Sequence, residues 1–167
     1  MAKTSDVKTN VMRILEQKKV AYQARQYPHG DEAVDGVSVA QLLGQDPDTV
    51  FKTLVTRGAS KANYVFVVPV AKELDLKKAA KAVGEKSIAM IHVSEINALT
   101  GYVRGGCSPI GMKKQFLTTY DQSALDHDVI AVSAGKIGYQ VEVSPRELAK
   151  LTRGQFADLA VEGEAGG

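Results

Sequence analysis

The chain has 167 residues, 44% of them apolar, 24% charged and 6% aromatic, a globular composition that excludes collagenous, coiled-coil and disordered classes. A domain of this length buries roughly two thirds of its unfolded surface without a staple, and the single cysteine, Cys107, excludes an internal disulfide framework. The formal net charge of +2 excludes histone-like and polyacidic chains, so any basic patch must be found by position.

In chain order, the polar N-terminus has no apolar segment behind it, so no signal peptide is expected. Val7, Val11, Ile14 and Leu15 then recur at helical spacing behind Ser5 and Asp6, predicting a helix that ends near Lys19. A short strand follows at residues 22–27. After a Gly-rich stretch comes a second helix from Ser38, read as its N-cap, to Gly44 just past its end. Residues 50–57 and 63–70 are rich in β-branched and aromatic side chains around Gly-Ala-Ser-Lys-Ala, the pattern of a hairpin. The apolar run at 65–71 contains Pro69 and falls far short of the roughly 20 residues that span a bilayer. A third helix, 75–83, sets Leu76, Ala79, Ala80 and Val83 against a face carrying Lys77, Lys78 and Lys81, and Gly84 stops it.

A strand at 88–92, a short helix at 94–99 closed by Gly101, and a strand at 116–120 come next. A last hairpin pairs 129–133 with 139–143 around Ala-Gly-Lys-Ile-Gly. Ser144-Pro145-Arg146-Glu147 is a capping box with Pro at the first helical position, opening a helix to Leu151. Two hairpins interleaved with helices argue for an α+β fold with a mixed, curved, partly barrel-like sheet flanked by helices. One domain over residues 1–161 with a disordered acidic tail at 162–167 is expected, in a soluble cytoplasmic protein.

His29, His92 and His127 lie at no metal-ligand spacing and there is no second cysteine, so no metal is expected. The phosphate-cradling and nucleophile-elbow motifs are missing as well. Cys107 has no base at a recognisable offset and reads as a small loop residue. Two features remain. Lys52 interrupts an apolar strand, sharing a face with Val50 and Leu54, where it either snorkels at a strand end or holds an anion such as a phosphate or carboxylate. The stretch Gly105-Gly106-Cys107-Ser108-Pro109-Ile110-Gly111 is either a plain turn or a loop whose bare amides converge on a ligand oxygen.

Four segments taken together, DPDTVFKTLV (46–55), DLKKAAKAVG (75–84), TGYVRGGCSPIGMKK (100–114) and VSAGKIG (132–138), resemble the YbaK/EbsC family in order and spacing. The resemblance spans about residues 10–160 and places the chain in the superfamily of the editing insertion domain of bacterial prolyl-tRNA synthetase. It implies a trans-editing hydrolase that cleaves the ester of mischarged Cys-tRNA(Pro), and of Cys-tRNA(Cys), without cofactor or metal. Cysteine and proline have similar volumes, which makes a second sieve necessary.

By the same resemblance, Lys52 holds the 3′-terminal adenosine end of the tRNA, and Gly105 opens a GxxxP loop that presents backbone atoms to the aminoacyl group. Gly106, Ser108 and Pro109 complete the substrate-binding loop, and Tyr27 and Ser133 line the pocket. The substrate's own thiol then attacks its carbonyl and leaves as a thiolactone. Lys77, Lys78, Lys81, Lys113, Lys114 and Lys136 are candidates for the acceptor-stem surface, their alternative being ordinary solvated faces. So weak a charge implies help from prolyl-tRNA synthetase. Asp35-Gly36-Val37 departs from the aromatic residue that many family members carry before the second helix. Alternatives are a deacylase for another charged tRNA such as Ala-tRNA(Pro), a noncatalytic tRNA- or synthetase-binding regulator, and a carboxylate binder built on Lys52.

Overall fold

Helix ends fall where side-chain caps satisfy the backbone groups that a helix leaves unpaired. A computed structural model describes residues 8–28 and 36–161 of the chain. Helix α1, Asn10–Gln17, starts where Thr9 Oγ1 accepts from the Met12 amide. The expected start behind Ser5 and Asp6 is therefore displaced by a better-placed cap, and Val7 lies outside the described residues. Asp75 caps α3, Leu76–Val83, by accepting from the amides of Lys77 and Lys78, and Gly84 closes it at φ +74°. Ser144 caps α5, Pro145–Thr152. Helix α4, Val93–Thr100, ends at Gly101 with φ +87°. Helix α2 runs Gly36–Leu43, so Ser38 lies in its first turn rather than at its cap.

The strands are β1 Tyr22–Gln26, β2 Phe51–Gly58, β3 Asn63–Pro69, β4 Ile88–Met90, β5 Leu117–Asp121, β6 Ile130–Ser133, β7 Tyr139–Val143 and β8 Gln155–Ala157. What the sequence suggested as one curved sheet is two. An antiparallel sheet has the order β1-β7-β6, and a mixed sheet has the order β4-β2-β3-β5-β8. Both expected hairpins form, with Lys52 opposite Val68 and Ser133 opposite Gln140. The pairings β3–β5 and β5–β8 are parallel. The sheets meet at a parallel bridge between Val50 and Ala131.

Strand alternation divides the interior. Phe51 and Val55 of β2, with Val65 and Val67 of β3, pack against α1, Ile130, Val132, Val141 and Leu148 in the main core. On the other face, Phe66 and Val68 lie under Ala79 and Ala80 of α3, with Leu54 packed alongside. Val50 and Ala131 lie under Ala40 of α2 in a third cluster. Each such side chain taken fully out of water contributes about 1.5–3 kcal/mol. The expected tail, 162–167, lies outside the described residues.

Candidate active site

Lys52 stands on the outer face of β2, between Val50 of the third cluster and Leu54 of the second, opposite the face that carries Phe51 and Val55. It is half-buried, and among the described residues it makes no hydrogen bond or ion pair. Beside it, β6 runs parallel from the Val50–Ala131 bridge. Two positions beyond that bridge, Lys52 on one strand and Ser133 on the other occupy the same outer face, because Ile130 and Val132 take the inner one. An unpaired ammonium keeps three donors for an anion.

Ser133 ends β6 and starts the turn to β7, with its Oγ accepting from the Gly135 amide at 3.1 Å. Tyr27 reaches the other end of that turn, its amide donating to the Gly138 carbonyl at 2.9 Å, and it is buried to 7% exposure. Behind Ser133, buried Gln140 accepts from Gln45 Nε2 at 2.5 Å. Gln45 also donates to Glu142 at 2.9 Å, and Arg25 pairs with Glu142 at 3.2 Å. This network clamps the residues after α2 onto β7.

The glycine loop leans on the same turn. A Cβ built at Gly106 would stand 3.2 Å from the Ile137 amide nitrogen and 3.4 Å from Lys136 backbone, a tight approach that glycine eases. Gly105, exposed and at φ +86°, forms the crest of the loop. The Gly106 amide is already spent on the Val103 carbonyl at 2.9 Å, and the Ile110 amide on Ser108 Oγ at 3.3 Å. Ser108 is fully buried and Pro109 is buried too, so their side chains are packed beneath the loop surface. Cys107 is buried, and desolvation pushes its thiol up from 9.0 to about 12. A thiol so protonated is a poor nucleophile at neutral pH.

The turn at 134–138 is thus the meeting point: Ser133 begins it, Tyr27 bonds across it, Gly106 packs on it, and Lys52 emerges beside Ser133. The basic residues divide differently. Lys77 and Lys81 are exposed on α3, whereas Lys78 donates to Asp158 at 3.1 Å and to the Ala160 carbonyl at 2.9 Å, which ties it to the residues after β8. Lys136 lies over the Tyr139 ring and Lys114 over the Phe116 ring, both exposed near the loop, and Lys113 reaches the Ala98 carbonyl at 3.4 Å. Gly36 meets Val70 so closely that a Cβ there would lie 2.3 Å from Val70 Cγ1, while Asp35 lies outside the described residues. A surface cavity of about 490 Å³ opens two strands across from Lys52, lined by Asp121, Asp126 and Asp158 with Lys72, so carboxylates outnumber ammonium groups in its wall.

The residue that sequence reading left without a role is Tyr102, whose hydroxyl donates to the Ile110 carbonyl at the far end of the loop. Its only sequence signal was a tyrosine within the glycine-rich motif.

The model of the aminoacyl-tRNA editing domain matches residues 31–151 of this chain. The chain belongs to the aminoacyl-tRNA editing family. It is 46% identical over 160 residues, 96% of this chain and 98% of the relative, to a protein of Enterococcus faecalis (strain ATCC 700802 / V583) named "Putative Cys-tRNA(Pro)/Cys-tRNA(Cys) deacylase EbsC". Among solved structures, one described as "a putative trans-editing enzyme for prolyl tRNA synthetase" superposes with a TM-score of 0.78 at 25% identity, covering 93% of this chain and 99% of the other. Hypothetical protein APE2540 shares the fold, with a TM-score of 0.81 at 23% identity over 90% of this chain and 99% of the other. The editing-family fold expected from four short motifs is therefore the fold observed. Among the described residues no helix is long and apolar enough to cross a membrane.

Proposed function

We propose that this chain is an aminoacyl-tRNA deacylase acting in trans on tRNA(Pro) mischarged with cysteine, with Cys-tRNA(Cys) as a second substrate. The observation that carries the reading is identity of 46% across 96% of the chain to a relative named for that reaction. Lys52, without a partner among the described residues and beside the strand that ends at Ser133, supports it chemically. Lys52 holds a phosphate of the tRNA 3′ end by charge-assisted hydrogen bonds. Gly105 offers bare backbone to the ester carbonyl, where negative charge develops in the transition state.

An aminoacyl ester is activated already, so orientation and charge stabilisation do most of the work. The substrate's thiol forms a sulfur–carbon bond to the carbonyl as the ester carbon–oxygen bond breaks. The thiol proton goes to the departing ribose oxygen, and the thiolactone so formed is opened by water. On this route cysteine is chosen by its own nucleophile and Cys107 takes no part. Lys136, Lys113, Lys114, Lys77 and Lys81 contribute a diffuse attraction for the acceptor stem, which cannot by itself select one tRNA. Prolyl-tRNA synthetase therefore supplies selection in a shared cytoplasmic complex.

The test is a panel of Cys-tRNA(Pro), Cys-tRNA(Cys), Ala-tRNA(Pro) and Pro-tRNA(Pro), incubated with the purified chain, with and without chelator and synthetase. Release of cysteine from tRNA(Pro), undiminished by chelator, is expected. Release of alanine alone moves the substrate to Ala-tRNA(Pro), and tRNA binding without hydrolysis overturns the enzymatic reading.

A further inference from the structure

We propose that Tyr102 is a positioning residue, locking the Gly105–Gly111 loop against the Ser133–Gly138 turn so that the two present one rigid site. The inference rests on the deacylase reading and adds a residue that none of the motifs assigned.

A single side chain spans both partners. Its hydroxyl donates to the Ile110 carbonyl, near the end of the loop. Its ring lies against the opposing turn: a Cβ built at Gly135 would fall 3.0 Å from Tyr102 Cε1, and one at Gly111 would fall 3.0 Å from its hydroxyl oxygen. Both glycines have positive φ, +92° and +77°. Chain and ring therefore both demand glycine at these positions, and the ring fills the space that glycine leaves.

Tyr102 is itself held. Its amide donates to Thr100 Oγ1 at 3.0 Å, and its carbonyl accepts from Asn97 Nδ2 at 3.4 Å, so the phenol extends from the C-terminal end of α4. Burial pushes that phenol up from 10.0 to about 12, which keeps the O–H a donor throughout the physiological range. The ring packs with the main core, toward Val11, on the face opposite Lys52. That placement, away from the face of Lys52, assigns its effect on turnover to the loop.

The loop's internal bonds, from Gly106 to Val103 and from Ile110 to Ser108, fix its shape but not its position on the turn. Tyr102, with the close contact of Gly106, fixes that position. A displacement of about 1 Å between catalytic groups can cost about 100-fold in rate.

The experiment compares wild type, Tyr102→Phe and Tyr102→Leu by steady-state deacylation of Cys-tRNA(Pro), thermal melting and amide hydrogen exchange. Tyr102→Phe keeps the ring and loses the bond to Ile110. It should melt within a few degrees of wild type, keep KM within twofold, lower kcat roughly tenfold and speed exchange in the loop and turn but not in α5. Tyr102→Leu should lower kcat further at a KM still near wild type.

A kcat for Tyr102→Phe within twofold of wild type overturns the proposal. So does a rise in KM at constant kcat, which would make Tyr102 a binding residue. If the wild type releases no amino acid, the deacylase reading has failed, and unchanged exchange in the loop and turn would then overturn the lock as well.

Discussion

Lys52 and Lys78 are both half-buried lysines on the same side of the mixed sheet, one on β2 and one on α3, and the molecule treats them in opposite ways. Lys78 gives its ammonium to Asp158 and the Ala160 carbonyl. Lys52 gives its ammonium to nothing among the described residues. Burial alone does not separate a structural lysine from a functional one; the inventory of partners does. A tied ammonium fastens α3 to the residues after β8. One without a partner among the described residues, beside a turn on which a glycine loop rests, is the group we propose for an anion.

Exchanging the two is the sharpest way to break the comparison. A hydrogen bond to a charged group is worth about 1.5–3 kcal/mol, so Lys52→Ala should lower kcat/KM on Cys-tRNA(Pro) by about 10- to 100-fold while the melting temperature holds. Lys78→Met should do the reverse. Its partner Asp158 is half exposed, so the pair is discounted for solvent to at most about 1 kcal/mol of stability, with turnover unchanged. Steady-state kinetics and denaturant melts on the same two variants check both. A Lys52→Ala enzyme of normal rate would mean that partner inventory misled us.

Glycines sharpen the same contrast. Gly106 meets backbone of the opposing turn, which must give by a few tenths of an ångström to admit a Cβ, so Gly106→Ala should push loop from turn. The expected result is a loss of rate approaching that of Lys52→Ala, with overpacking costing about 1–3 kcal/mol. Gly84, at the end of α3, has nothing within 4 Å of where a Cβ would stand, only its φ of +74°. Gly84→Ala should therefore cost about 1 kcal/mol of stability and no activity. Melts and deacylation rates for the pair separate site geometry from simple backbone strain.

A smaller effect belongs to the exposed lysines. Lys136 adjoins the backbone against which Gly106 packs, and Lys77 lies on the helix that carries Lys78. Lys136→Glu should raise KM for tRNA a few-fold and flatten its dependence on salt, by about one phosphate contact or more. Lys77→Glu should do less, and equal effects would spread the acceptor stem evenly over both surfaces.

The contrast between the two lysines also marks what could be read without coordinates. Lys52 was legible because strand period is strict: a single cation between Val50 and Leu54 has to leave with them, away from Phe51 and Val55. Ser144, Gly84 and Gly101 were legible because caps are local chemistry, whereas Asp75 counted only as the first residue of its helix until its side chain was seen to cap it. Lys78 reads with Lys77 and Lys81 as one basic face, a candidate for the acceptor stem or an ordinary solvated one, since its partners lie 80 and 82 positions away in the sequence. The parallel pairing of β3 with β5 crosses two helices and leaves no local trace, and β8 is too short at three residues to show a period. Tyr102 was passed over for a related reason. The motif credited glycine and proline for the loop's shape, while the surface on which the loop is fixed belongs to another hairpin.

Cys107 gives the finest distinction, because it lies within the loop yet behaves as core. Burial raises its thiol from 9.0 to about 12, so above the lower value the unfolded chain releases a proton that the folded chain keeps. The associated stability is fully present below about pH 9 and is lost as pH rises toward 12. Tyr102 follows the same sign between 10.0 and about 12. The melting temperature should therefore fall through this alkaline window, and Cys107→Ala should remove the earliest part of the fall. The same variant should keep deacylation within twofold, and the native protein should resist iodoacetamide at pH 8. Rapid alkylation with loss of turnover would move Cys107 from the packed interior to the reacting centre, and the substrate's own thiol would no longer be the nucleophile.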